Sequence, residues 1–116
     1  MNDVYLYVDD IREDDTWFRH HLNANMWTPI ICRTFEEAIG WLEFYNRHAN
    51  IIIDLDHDLG EGNGIDDSHA PSGYDICKWI VENRILLMGF HIHSLNVVGA
   101  ANMRQLLRRY NYEEFY

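Results

Sequence analysis

Apolar residues gather in short runs that alternate with stretches of helical period. Val4-Tyr5-Leu6-Tyr7-Val8 has strand residue types and ends on Asp9-Asp10. Arg12 through His21 reads as a first helix. Pro29-Ile30-Ile31-Cys32 predicts a short second strand, followed by Arg33-Thr34. Thr34 with Glu37 makes a capping box. Behind it Ala38, Leu42 and Tyr45, flanked by Phe35, Ile39 and Trp41, keep helical period to about Asn46. Ile51 to Leu55 is a third strand, and its opening Ile51-Ile52-Ile53 is that of a buried parallel strand. Residues 60–71 carry Gly, Asn, Asp, Ser and Pro without apolar period and read as a loop. Ser72 with Asp75 caps a third helix, whose buried face includes Ile76, Ile80 and Leu87 until Gly89 breaks the pattern. Phe90 to Ser94 predicts a fourth strand. Asn96 then caps a last amphipathic helix using Val97, Met103, Leu106, Leu107 and Tyr110.

Four strands alternating with helices predict an α/β fold with right-handed crossovers, a mostly parallel sheet and helices on both faces, a three-layer sandwich. Strand order 2-1-3-4, as in flavodoxin-like folds, puts the crevice between strands 1 and 3, and ligands bind beyond the carboxyl ends. Asp9-Asp10, Arg33-Thr34, Asp56-His57-Asp58 and His93-Ser94 all sit at those ends. Four independent strand ends bringing polar groups to one edge argue for a site. Asp54 lies one pleat before the end of its strand and reads as a supporting carboxylate.

The 116 residues predict a single domain over 1–116, large enough for a real core. The net charge of −10 disfavours grip on long double-stranded nucleic acid. A small phosphorylated ligand still binds where a metal or local Arg residues reverse the field. No apolar run is long enough to span a bilayer, and Met1-Asn2-Asp3 lacks the layout of a secretory signal. Cys32 and Cys77 lie far apart without a CxxC partner, and are expected as reduced, packed thiols of a cytoplasmic protein. Oligomeric state is not legible.

Asp9, Asp10, Asp56 and Asp58 crowd negative charge at one crevice, which raises a pKa or recruits a cation. Oxygen ligation suits Mg²⁺ or Mn²⁺, and added imidazoles widen the choice to Mn²⁺, Fe²⁺ or Zn²⁺. Asp56 and Asp10 are the leading ligands. The plainer alternative has Asp9 or Asp10 capping the first helix and Asp58 opening a turn. His57 and His93 are the proton-transfer candidates beside Asp56. Strand alternation puts His91 on the face of His93, one pleat deeper, where it reads equally well as structural. His20, His21, His48 and His69 have no such setting. Arg12, Arg33, Ser94 and Asn96 are candidates for holding phosphate oxygens, Ser94 and Asn96 at a helix N-terminus. Arg33 could equally pair with a glutamate of its own helix. The loop with Asp66, Asp67 and His69 reads either as a cover for substrate or as ordinary surface.

Asp9-Asp10-Ile11-Arg12, Leu55-Asp56-His57-Asp58-Leu59-Gly60, Ser72-Gly73-Tyr74-Asp75 and His91-Ile92-His93-Ser94-Leu95-Asn96, with Gly99 and Met103, spread over most of the chain. In these the sequence resembles the cyclic-phosphate processing receiver domain family, a divergent relative of response-regulator receiver domains. The two His-containing signatures are far more specific than the Asp-Asp pair. The resemblance implies a receiver-like fold repurposed as a small phosphoesterase, in bacterial and phage settings of RNA repair or nucleotide signalling. Ordinary receivers hold an acyl phosphate with a Lys at the end of a fifth strand. Here the last strand-helix unit is expected to be lacking, no Lys occupies such a place, and a His follows Asp56 directly. Phospho-signalling through Asp56 is therefore disfavoured. The expected function is metal-assisted hydrolysis of a cyclic phosphodiester, either an RNA 2′,3′-cyclic phosphate end or a cyclic nucleotide or oligonucleotide messenger. The alternatives are a binding module that sequesters a nucleotide signal, and a degenerate receiver acting as an interaction domain.

Overall fold

Four strands pair side by side in the computed structural model, which describes residues 3–11, 16–59 and 71–116. In chain order the elements are β1 (Asp3–Val8), α1 (Thr16–His21), β2 (Trp27–Cys32), α2 (Phe35–Tyr45), β3 (Ile51–Leu55), α3 (Gly73–Glu82), β4 (Gly89–Ile92) and α4 (Val97–Arg109). The sheet has the order β2-β1-β3-β4, and every pairing is parallel. This is the expected receiver-like, flavodoxin-like arrangement.

Element ends differ where pairing or capping decides them. β2 starts two residues before Pro29, because Trp27 pairs with Asp3 at the foot of β1. Pro29 is tolerated since β2 is an edge strand. α3 stops at Glu82, with Asn83 as its C-cap, so Leu87 lies beyond the helix and Gly89 opens β4 instead of ending a helix. β4 closes at Ile92, leaving His93 and Ser94 just past the strand. Residues 12–15 of the expected first helix lie outside the described residues, as do residues 60–70 of the loop with Asp66, Asp67 and His69.

Strand alternation divides the core in two. Val4, Leu6, Val8, Ile51, Ile53 and Leu55 face α2, α3 and α4, which supply Leu42, Ile80, Met103 and Leu107 among others. Tyr5, Tyr7 and Ile52 face the other way, against Phe18 of α1, with Trp27 and the partly buried Phe115. Among the described residues, the second outer layer is thus one short helix completed by Phe115. All five residues of β3 are buried, which is why that strand carries no apolar-polar alternation at its start.

With four strands, β4 would present an unpaired edge. Residues 113–115 cover it: Phe90 N donates to Glu113 O at 2.9 Å and Phe115 N to Phe90 O at 2.7 Å. Glu114, bridged in parallel to Phe90, carries a buried carboxylate held by Arg104 Nε at 2.8 Å and Arg108 Nη2 at 2.7 Å. Gly89 makes this approach feasible, since a Cβ there would stand 2.1 Å from the Phe115 ring.

Candidate active site

Sheet register builds the site. Val8 pairs with Leu55 and Leu55 with Ile92, so the next residue on each of three adjacent strands lies at one level. Those residues are Asp9, Asp56 and His93. The ladder runs one step further and pins their backbones, with Asp9 N to Cys32 O at 3.0 Å, Asp56 N to Val8 O at 3.0 Å and His93 N to Leu55 O at 3.1 Å. One ligand atom from each of the three lies within 4.8 Å of the others. Asp10 and Asp58, expected in the ligand set, stand outside this group. The carboxylate that joins Asp56 is Asp9, because it is the first residue past the strand.

His93 is clamped between carboxylates. Its Nδ1 is 2.5 Å from Asp54 Oδ1 and its Nε2 is 3.0 Å from Asp9 Oδ2, both carboxylates being only 1% exposed. A carboxylate accepts, so each ring nitrogen is placed to donate, and the ring meets both demands as imidazolium. Burial by itself would lower the His93 pKa, but the hydrogen bond and charge of Asp54, then Asp9 and Asp56, outweigh it and raise it. Tyr7 stacks on the ring at 4.6 Å and 8°. On the far side of Asp54, the Tyr5 hydroxyl donates to Oδ2. A buried strand carboxylate is costly unless so satisfied, which accounts for a Tyr at position 5 beneath it.

Asp56 has its carboxyl pKa raised, by burial first and then by the nearby Asp9 charge. The backbone N–H of His57, at 2.8 Å, the His93 charge and the Ser94 hydroxyl act in the opposite sense and lose. Ser94 Oγ also accepts from Asn96 N at 3.0 Å, tying the turn after β4 to the carboxylate of β3.

His57 points towards α4. Its Nδ1 is 2.8 Å from Asp58 Oδ1. Asn96 Nδ2 stands 3.3 Å from the same nitrogen, but the shorter carboxylate contact calls for a donor there, and with Nδ1 donating to Asp58 a neutral ring carries its lone pair on Nε2. Asn96 caps α4 by accepting from Gly99 N at 2.8 Å, while its Nδ2 reaches towards Asp58 Oδ1 at 3.5 Å. Two glycines let the helices close on this segment. A Cβ on Gly99 would fall 2.5 Å from the His57 ring, and one on Gly73 would fall 2.0 Å from Asp56 O. Gly73 N instead donates to His57 O at 2.7 Å, bringing the N-terminus of α3 onto the site.

Other expected residues fall elsewhere. Arg33 donates from Nη1 to Asp9 O at 3.1 Å and steadies the turn after β1, while its backbone N–H is the group that meets Glu37. Arg12 lies outside the described residues. His91 stacks on Trp17 at 4.8 Å, and its Nδ1 meets Phe115 O at 2.7 Å, a structural setting. His21 stacks on the other side of the aromatic set, against Trp17. Tyr5 and Tyr7 escaped notice in the sequence. The signal that could have found them is Asp54 itself, a carboxylate inside a buried strand that needs a donor on the same sheet face.

The donor set fits a divalent ion: two carboxylates, Asp9 and Asp56, and one imidazole, His93, converge from three strands. Burial first, and then the Asp9 charge, disfavours the ionised Asp56 carboxylate, and a cation there would offset both. A cation would compete with the proton His93 now shares with Asp9.

The sequence matches the family described as the cyclic-phosphate processing receiver domain over residues 4–109. Among solved structures, the signal receiver domain of a putative LuxO repressor protein from Vibrio parahaemolyticus is similar with a TM-score of 0.65 and 21% identity, over 99% of this chain and 77% of that one. The response regulator LqsR of Legionella pneumophila is similar with a TM-score of 0.56 and 14% identity, over 98% of this chain and 38% of that one. At such identities the likeness is one of fold. No curated protein matches the sequence.

Proposed function

We propose that this chain, which belongs to the cyclic-phosphate processing receiver domain family, hydrolyses a cyclic phosphodiester by acid-base catalysis at the Asp9–Asp56–His93 edge. The observation that carries this reading is a pair of imidazoles with different partners at one sheet edge. His93 has a carboxylate at each ring nitrogen, Asp54 and Asp9, whereas His57 has a carboxylate at Nδ1 alone, from Asp58. Environments that separate two titratable groups in this way divide the acid and base roles between them.

In the proposed reaction His57 Nε2 takes a proton from water as its oxygen bonds phosphorus. The ring P–O bond breaks, and the departing oxygen takes the Nε2 proton of His93. The product is a phosphomonoester with one free hydroxyl, and proton exchange with solvent restores both rings. Ser94, Asn96 and the first turn of α4 hold non-bridging oxygens. Asp9 and Asp56 would hold a divalent ion, Mg²⁺ or Mn²⁺ by their oxygen chemistry, while His93 keeps its Nε2 proton; the ion would supply charge neutralisation and Lewis-acid polarisation of the phosphate. Arg12 is a further candidate for the phosphate.

Exposed Leu95, Val97 and Val98 alternate with the polar residues of the same turn. They favour a phosphate carrying an organic group, a small cyclic nucleotide or an RNA 2′,3′-cyclic phosphate end. The test is a screen of nucleoside 2′,3′-cyclic and 3′,5′-cyclic phosphates and cyclic oligonucleotides with Mn²⁺ or EDTA. Turnover lost in both Asp56→Asn and His93→Gln supports the reading; near wild-type rates in both variants would sink it.

One feature favours a second reading. Both ring nitrogens of His93 are occupied, which suits a site that binds a nucleotide without cleaving it. Mass spectrometry separates the two, because a sequestering module returns its ligand intact after long incubation with metal.

A further inference from the structure

The exposed face of α2 carries a groove with a volume of about 260 Å³, lined by Glu36, Glu37, Gly40, Trp41 and Phe44. These residues follow the i, i+1, i+4, i+5, i+8 spacing of one helical stripe. Gly40 forms its floor. Glycine weakens a helix interior relative to alanine, and here no close packing within the described residues requires it, for a Cβ at Gly40 would meet nothing within 4 Å. Gly73, Gly89 and Gly99, by contrast, each stand where a Cβ would collide. The stripe therefore stays open at Gly40, with room for a group from outside the chain.

The walls are aromatic and half open. Trp41 is 37% and Phe44 65% exposed, so both rings keep surface open to solvent. Their rings are already ordered among themselves, Trp41 stacked on Tyr45 at 5.7 Å and edge-on to Phe44 at 6.1 Å. Glu36 and Glu37 form the rim towards the helix N-terminus, and Glu37 spends one oxygen on Arg33 N at 3.1 Å. Aromatic faces and carboxylates together select a planar cation. A second copy of this chain is a poor occupant, since two acidic rims would meet on molecules each carrying −10.

We propose that this groove docks an arginine side chain from a basic segment of a protein partner, with its guanidinium over Trp41 and Phe44 and its charge against Glu36 and Glu37.

The probe is acetyl-Gly-Arg-Gly-amide, with its Glu analogue as control, followed by NMR shifts of the Gly40 amide and the Trp41 indole in the full chain. Expected are saturable shifts confined to residues 36–45, at least fivefold weaker binding by Gly40→Leu and Trp41→Ala, and no response to the Glu peptide. Gly40→Leu should melt no lower than wild type, so its loss of binding cannot be blamed on unfolding, and Gly40→Ala gives the same test with a smaller plug. Shifts scattered over the acidic surface, or unchanged binding by Gly40→Leu, would overturn the proposal. So would concentration-dependent dimerisation that Gly40→Leu abolishes, which would assign the groove to a second copy.

Discussion

Asp54 and His93 stand 2.5 Å apart, carboxylate to Nδ1, across the β3–β4 pairing, and the Tyr5 hydroxyl holds the carboxylate from behind. The two residues are therefore one unit, and Tyr5 positions it. Asp54→Asn keeps the shape but removes the buried charge. It should lower the His93 pKa and destabilise the fold by about 3 kcal/mol, the scale of a broken buried pair. Tyr5→Phe leaves one Asp54 oxygen without that donor and should cost about 1–3 kcal/mol. Urea unfolding and NMR titration of His93 measure both.

Stability should follow His93 as pH changes. Its pKa is raised in the folded chain above the ordinary 6.5, so the folded state holds the proton more tightly. Below that ordinary value both states are protonated and the full contribution is present. It is lost as pH rises through the raised folded value. Asp56 acts with the same sign in a more acidic window: its raised carboxyl disfavours the ionised form in the fold, and acidification from the raised value towards 3.8 relieves that cost. Melting temperatures should fall in the wild type as pH rises above the ordinary 6.5 and flatten in His93→Gln.

The glycines beside the site should separate folding from chemistry. Gly99→Ala sets a methyl 2.5 Å from a side-chain ring, so His57 must move while the helix stands. Activity should fall at least tenfold, with a change in stability of about 1 kcal/mol or less, because alanine also favours the helix. Gly73→Ala sets a methyl 2.0 Å from the Asp56 carbonyl oxygen, where only backbone movement gives relief. That variant should lose several kcal/mol, roughly the overpacking range and above. Paired kinetics and denaturation decide the matter.

Metal binding should distinguish the carboxylates. Mn²⁺ should raise the melting temperature of the wild type, and Asp9→Asn or Asp56→Asn should abolish the rise. Asp58→Asn should keep it, because Asp58 faces His57. A calorimetric titration with Mn²⁺, repeated after EDTA treatment, checks the order. Equal losses from all three variants would place the ion elsewhere.

Much of this was written locally. The apolar runs of β1 and β3, the Thr34 cap and the paired Ser72–Asp75 cap are decided by neighbours in the chain, and these read directly. The capping boxes also show where local reading stops. Glu37 turns its carboxylate to Arg33 N, one residue beyond the expected target. Strand order came from likeness to flavodoxin-like folds, because alternation and handedness leave several orders open.

By itself, then, the sequence determined the receiver-like order of elements and the sheet edge to which polar residues would be delivered. Which of those residues meet was decided only by tertiary structure. Parallel register is a relation between strands distant in the chain, and one residue of slip would exchange Asp9 for Asp10. Burial made the same selection in energy. Asp54, which looked secondary from its place inside a strand, must find donors there, and it finds Tyr5 and His93, 49 and 39 positions away.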